Sequence, residues 1–431
     1  MPVTEGQLAS CVAHAREGSF YARHLQGYPC STRAEFQKLP TSSIRDLGEA
    51  GISQLFFSDT GGDEIAPAAQ LLSSFVPESD PHTLLQAMHS DQQAGPSRMT
   101  LVAKGPLPTE EIRIWHSETI DRVLRELAAF EPRVVFGDSR ALLLLAEEVD
   151  AGGVCQIPSS VELLLATGLL PDSLRLQLEK DWGSRVVEVY QRPEAVLLGV
   201  SCAEGSLHLA NDLYSCEILD LVDGEPVPPG ECGVLVITSL QQARAPLVRW
   251  STGDLVEVAT AACKCKRPDF PVRRLGSARD SVAFGGREAM AVDILAAAQT
   301  FAAALGGRIF YTGVRAQDLR ILVEVSDPGM ALPTKEYLDL RRQIGLPMDV
   351  RLVDRAPDPG SVSLADLAEV PAAQLWRLAD WTSEPRASSV PDASPTPGFF
   401  SLARWQGHRE ARRRDSRRRA LMRVLESQES M

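Results

Sequence analysis

The chain has 431 residues, 44% apolar and 23% charged, which suits about two or three domains with a buried core. Its formal net charge of −13 excludes a general nucleic-acid binder, which needs a basic face. No run approaches the roughly 18 apolar residues of a membrane span, and the first residues lack the basic and apolar regions of a signal peptide, so a cytoplasmic protein with no membrane partner is expected.

Residues 3–27 carry apolar side chains at helical spacing as far as the break Gly27-Tyr28-Pro29. Ser31 or Thr32 then caps a short helix. Residues 52–57 read as a strand that runs into the loop Ser58-Asp59-Thr60-Gly61-Gly62-Asp63. An amphipathic helix is predicted over 117–130, a short buried strand over 134–137, and helix again over 139–150. Strand 160–166, helix 171–182 and strand 185–190 follow. Strands alternating with helices of this length point to an α/β fold with a mostly parallel sheet.

The pattern changes after residue 195. Short strands are predicted at 196–200, 207–209, 216–222, 233–238 and 246–250, separated by turn residues such as Asp223-Gly224 and Pro228-Pro229-Gly230. That is a β-rich subdomain. From 306 to 355 come strands 308–312 and 319–325, helix 334–343 and strand 349–353, which suits a small α+β lid. Residues 383–398 are a Pro/Ser/Ala linker, and 401–426 an Arg-rich helix candidate. Nine Arg between 404 and 423 face only Glu410 and Asp415, a local +7 on an otherwise acidic chain. That tail reads as a solvated helix end or disordered tail, or as a contact for an acidic partner, RNA or the chain's own acidic body.

The eight cysteines do not form a disulfide framework. Five residues separate Cys202 from His208, and Cys263-Lys264-Cys265 places two thiols with one residue between them. Together they make a Cys3His set that suits tetrahedral Zn²⁺ with every position filled by protein, a structural rather than a catalytic site. The alternative is four unrelated thiol and imidazole groups. Cys216 and Cys232 fall in strand-like segments and read as core residues. No Gly-x-Ser-x-Gly elbow is present, which argues against a serine hydrolase.

Several stretches, in order, resemble the phenylacetate–CoA ligase-like branch of the adenylate-forming superfamily. The most specific is Gly224-Glu225-Pro226-Val227-Pro228-Pro229-Gly230-Glu231-Cys232-Gly233-Val234-Leu235-Val236-Ile237-Thr238, followed by Pro246-Leu247-Val248-Arg249-Trp250-Ser251-Thr252-Gly253-Asp254. Tyr21-Ala22-Arg23-His24-Leu25 and Lys38-Leu39-Pro40 fit as well, and the similarity runs over roughly residues 15–355. The resemblance implies an α/β core domain over 1–275, with its β-rich, zinc-stapled part at about 196–275. It further implies a lid over 276–382, then a linker over 383–400 and a tail over 401–431.

It also implies a chemistry. A carboxylic acid attacks the α-phosphate of ATP to give an acyl-adenylate, and a thiol or amine then displaces AMP, with catalysis by positioning and charge stabilisation. By resemblance, Ser58, Thr60, Gly61 and Gly62 would cradle phosphate, although SDTGGD read alone is equally a polar turn. Ala166, Thr167 and Gly168 stand at the adenine-side loop, Tyr190 at the aromatic position beside adenine, and Glu194 at the Mg²⁺-binding carboxylate. Asp254 stands at the ribose-binding carboxylate. In Leu275-Gly276-Ser277-Ala278-Arg279-Asp280 the usual Arg is Ser277, and Arg279 is a candidate substitute. No Lys follows Lys335, where the family's lid carries one.

The expected ligands are therefore ATP/AMP, Mg²⁺, structural Zn²⁺ and CoA. The expected partners are a small, aromatic carboxylic acid and a carrier-protein or amine acceptor, and a homodimer is compatible with the resemblance. The departures suit a specialised biosynthetic ligase, or alternatively a degenerate homologue that binds a ligand or partner without adenylation.

Overall fold

The computed structural model describes residues 3–43, 46, 68, 70, 99–102, 112–115, 120–150, 156–192, 194–221, 223–240, 246–267, 271–278, 282–284, 287–314 and 319–353. The expected strand 52–57, the loop residues Ser58, Thr60, Gly61 and Gly62, Arg279, the linker and the Arg-rich tail lie outside them.

Helix α1 (Glu5–Ala15) opens with a capping box in which Thr4 and Gln7 satisfy each other's backbone N–H groups. The single helix expected over 3–27 is two, because Gly18 takes an extended conformation and starts α2 (Ser19–His24). Thr32 and Glu35 form a second capping box for α3 (Arg33–Phe36). The α/β layer follows: β1 (Met99–Val102), β2 (Ile112–Trp115), α4 (Ile120–Phe130), β3 (Val134–Asp138), α5 (Ser139–Asp150), β4 (Leu163–Thr167), α6 (Asp172–Trp182) and β5 (Arg185–Arg192). Then come β6 (Ala195–Ser201), β7 (Leu207–Leu209), β8 (Tyr214–Leu219), β9 (Cys232–Ser239), β10 (Trp250–Val258), β11 (Val272–Ser277), β12 (Val282–Phe284) and β13 (Arg287–Ala289). The last elements are α7 (Ala291–Ala304), β14 (Arg308–Val314), β15 (Leu319–Glu324), α8 (Thr334–Ile344) and β16 (Met348–Val353).

Among the described residues, eleven strands form one sheet in the order β2-β1-β3-β4-β5-β6-β7-β11-β10-β9-β8. The parallel pairs are β3–β4 and β4–β5, joined by helical crossovers as the alternating pattern requires. From β5 to β8 every pairing is antiparallel. A separate three-stranded sheet, β14-β15-β16, is antiparallel at one pair and parallel across α8 at the other.

Both faces of the large sheet are apolar, so β3 and β4 read as unbroken hydrophobic runs. On one face Val123, Leu142, Leu164 and Leu174 pack with Leu295 of α7 and Ile321 of β15, so the C-terminal elements share this core. On the other, Leu163 and Leu165 pack with Leu8, Tyr21, Val189 and Trp250.

Residues 246–249 are not the strand the sequence pattern suggests. Arg249 sits at φ 43, in the left-handed region, and the strand begins at Trp250. The reason is tertiary. Arg249 is buried, donates from Nη1 to the Gln37 carbonyl at 2.7 Å and to the Leu39 carbonyl, and pairs with Glu217 at 3.1 Å. Ser42 then adds to β10, its N–H donating to the Arg249 carbonyl and its carbonyl accepting from Ser251.

Candidate functional site

Two strands deliver the central residues. The antiparallel register of β10 slips against β9 between Ser251 and Leu255, and Gly253 occupies the slip at φ +75. A bulge of this kind re-aims the next side chain, here Asp254. On β5, Glu188, Tyr190 and Arg192 alternate with the apolar Val187 and Val189, the period that places them on one face.

Asp254 is 5% exposed and both of its oxygens are engaged. The Tyr190 hydroxyl donates to Oδ2 at 2.7 Å, and Arg192 Nη1 lies 3.6 Å from Oδ1. Arg192 also donates from Nε to Glu194 Oε1 at 3.3 Å and from Nη2 to the Thr252 carbonyl at 2.9 Å. Glu194, 6% exposed, accepts in addition from Trp250 Nε1 at 3.3 Å. Tyr190, Glu194 and Asp254 are thus gathered around one guanidinium. Burial, then the neighbouring Asp254 carboxylate, raises the Tyr190 phenol well above its ordinary range, so it serves here as a donor.

The loop Ala166-Thr167-Gly168 leaves β4 beside this group. Thr167 Oγ1 donates to the Gly137 carbonyl at 3.3 Å. Gly168 has φ +80, a backbone conformation that calls for glycine, and a Cβ there would lie 2.9 Å from Asp138 Oδ2, so the carboxylate would have to shift. From β11, Arg274 reaches across to the loop. Its Nη1 donates to the Gly168 carbonyl at 2.9 Å and to Glu188 Oε1 at 3.1 Å, and its guanidinium carbon lies 4.0 Å from the centroid of the Tyr190 ring. Burial pushes the Glu188 carboxyl up, with Arg274 pulling it back.

Sequence reasoning missed Arg192, Arg274 and Glu188. The two-residue alternation of Glu188, Tyr190 and Arg192 was the available signal for two of them. Nothing local marks Arg274, whose partners are 86 and 106 residues away in the chain.

The Cys/His set is assembled by two tight loops. Gly205, at φ +76, closes the β6–β7 turn with its N–H on the Cys202 carbonyl. Lys266, at φ 63, turns the 263–266 loop in the same way onto the Cys263 carbonyl. The ligand atoms of Cys202, His208, Cys263 and Cys265 all lie within 4.8 Å of one another. Cys202 Sγ is 3.6 Å from Cys263 Sγ, and Cys265 Sγ is 3.3 Å from His208 Nε2. Zn–S bonds of about 2.3 Å in a tetrahedron would set sulfurs roughly 3.7 Å apart, so the donors fit such an ion. The backbone N–H of Cys265, then the Ser206 hydroxyl, pull the Cys263 thiol down to about 6, while burial pushes the Cys202 thiol up to about 11. His208 Nδ1 is buried without a partner among the described residues. Cys216 and Cys232 lie on β8 and β9 and pack against the apolar clusters.

A cavity of about 590 Å³ lies between α6, α7 and the strand ends of β10 and β11. Arg175, Glu188, Ser206, Glu257 and Arg274 are among its walls, whereas Tyr190, Glu194 and Asp254 are not.

No protein-family model matches the chain. The phenylacetate-coenzyme A ligase of Thermus thermophilus is 33% identical to it over 153 residues, and that of Pseudomonas putida 31% over 154. The aligned stretch is 34% of this chain and 34% and 33% of those two proteins, so the match spans about a third of their length. A solved 2-hydroxyisobutyryl-CoA ligase in the postadenylation state with 2-HIB-AMP superposes with a TM-score of 0.61 at 17% identity, over 81% of this chain and 85% of that one. An open conformation of that ligase with 2-HIB-AMP and CoA gives 0.50 over 82% and 88%. The chain has the fold of the solved 2-hydroxyisobutyryl-CoA ligase, and over about a third of its length its sequence is similar to phenylacetate-coenzyme A ligases.

Proposed function

We propose that the chain binds an adenine nucleotide beside Tyr190, Glu194 and Asp254, and activates a small carboxylic acid as its acyl-adenylate for transfer to a thiol or amine. The observation that supports this is the cluster in which Glu194 and Asp254 flank Arg192 and Tyr190 joins through Asp254, on segments whose motifs resemble the nucleotide-binding motifs of adenylate-forming ligases. Asp254 would hold the ribose hydroxyls. Glu194 Oε1 already accepts from Arg192 and Trp250, so its other oxygen is the one a hard cation such as Mg²⁺ would take. An aromatic acid and a biosynthetic role are the substrate class and setting we favour, with CoA, a carrier thiol or an amine as acceptor.

The same reading divides the chain into a core over 1–275 and a lid over 276–382, with Ser58, Thr60, Gly61, Gly62 and Arg279 as further contacts to phosphate. It places a structural Zn²⁺ at Cys202, His208, Cys263 and Cys265. A closed four-donor site supplies folding energy by tying the β6–β7 turn to the loop after β10, and leaves no open position for a reactant.

A second reading has an observation of its own. Asp254 Oδ2 already accepts from Tyr190 and Oδ1 lies 3.6 Å from Arg192 Nη1, so a ribose would share this carboxylate with two protein side chains. That favours a homologue that binds a ligand or partner without adenylation. ATP–pyrophosphate exchange with Mg²⁺ against a panel of aryl and alkyl acids separates the two. Acid-dependent exchange supports the ligase. AMP binding without exchange for any acid, with CoA or amines present or omitted, supports the binding role.

A further inference from the structure

The guanidinium of Arg274 occupies a particular place. It is planar, it lies 4.0 Å over the Tyr190 ring, and it donates to the Gly168 carbonyl and to Glu188 Oε1. A flat group with N–H donors, stacked on an aromatic ring and bonded to a carbonyl and a carboxylate, is also what an adenine with its amino group would present. Tyr190 is 0% exposed, so neither face of its ring is open to a base.

We infer that Arg274 is a base-mimicking latch: its guanidinium fills the slot between Tyr190, Gly168 and Glu188 that a purine needs, and a nucleotide binds only when Arg274 is displaced. The inference rests on the nucleotide reading above. It adds a residue that sets nucleotide access, and it gives that residue a competing position in the protein.

Two features distinguish a latch from a fixed structural ion pair. First, the seat is incomplete: Arg274 Nε is buried with no hydrogen-bond partner among the described residues, so the guanidinium gives up one of its donors to stay there. Second, there is somewhere to go. The 590 Å³ cavity is bounded by Arg274 itself, and Asp172 and Glu257 also line it. A guanidinium that swings off Tyr190 into that space keeps a carboxylate partner and its solvation, while Glu188 is left facing the emptied slot. Leaving Glu188 without its counter-charge makes the open position the minor one until the amino group of an incoming base donates to that carboxylate. An apo protein with one open molecule in about ten has its apparent nucleotide affinity reduced tenfold.

The test is AMP binding by calorimetry to the full chain and to R274K and R274M. The lysine keeps a counter-charge for the buried Glu188, so it protects folding, which circular dichroism checks; neither side chain is planar. Both variants are expected to bind AMP about tenfold more tightly than the parent, and D254A in the R274K background to abolish that binding. If the parent binds AMP and R274K binds it no better, the latch is overturned while the nucleotide reading stands. If no folded protein of the set binds AMP, the nucleotide reading falls and the latch with it. Tight binding that survives D254A places the nucleotide elsewhere and also overturns the latch.

Discussion

The Tyr190 hydroxyl and the Asp254 carboxylate meet at 2.7 Å although β6, β7 and β11 separate their strands in the sheet. In a flat sheet four strand spacings of about 4.8 Å would hold β5 and β10 roughly 19 Å apart. The sheet therefore curls. The register slips between Tyr190 and Arg192 on β5 and between Leu255 and Val256 on β10, and bulges of this kind bend a strand and increase its twist. The candidate site lies inside that curl.

The pair itself is testable. Tyr190→Phe removes the donor and leaves Asp254 Oδ2 buried without it, for an expected loss of about 1–3 kcal/mol in urea unfolding. Asp254→Asn in the same cycle isolates the coupling, expected at about 0.5–3 kcal/mol. A coupling of zero would mean that the two side chains are held by the fold and not by each other.

The glycine-bearing motifs were the legible part of this site. Asp254 was legible only through the family motif Ser251-Thr252-Gly253-Asp254, while Cys263-Lys264-Cys265 and the Cys202/His208 pair were each legible from local spacing, and the fold brings the two halves together. The crossover helices and strands from β3 to β5 were legible for the same reason: a periodicity of 3.6 or 2 is written in adjacent residues. Arg249 was not. Its left-handed backbone is stabilised by carbonyls at 37 and 39 and by Glu217, and a Val-Arg-Trp run read alone looks like a strand. Helix α7, with nine residues of its 14 buried, was also missed, since a helix apolar on most sides gives little amphipathic contrast.

The Arg249–Glu217 pair carries a pH dependence. Burial raises the Glu217 carboxyl, and Arg249 opposes the rise without cancelling it. With the folded value above the unfolded one of 4.5, the native state binds more protons in the window just above pH 4.5, and stability falls as pH rises through it. Glu217→Gln cannot titrate. The variant is less stable throughout, since Arg249 loses its partner, but its melting-temperature gap from the parent should narrow as pH rises above 4.5. A gap that widens with pH would show the ion pair outweighing desolvation.

Metal analysis tests the Cys/His set directly. One zinc per purified chain is expected, falling below a tenth in Cys263→Ser and in Cys265→Ser. Chelation or either substitution should lower the melting temperature by roughly 5 °C or more, as removal of a cross-link between two loops would. A chain that purifies without zinc, and gains no stability on its addition, would leave the four side chains as a thiol–imidazole cluster.

Gly276, near the end of β11, and Gly253, within the paired strand β10, offer a controlled comparison. Both have positive φ, +106 and +75, so alanine costs about 1–3 kcal/mol of backbone strain at either. They differ in space. A Cβ at Gly253 meets nothing within 4 Å, whereas one at Gly276 would lie 2.7 Å from the Cβ of Ala291, the first residue of α7. That atom cannot rotate away, because a Cβ moves only with its backbone. Gly276→Ala must push α7 from the core it shares with β15, so its loss in urea unfolding should exceed that of Gly253→Ala by about 1–3 kcal/mol, the usual cost of overpacking. Equal losses would mean that α7 shifts freely over β11, and that the contact between them does not hold the C-terminal elements in place.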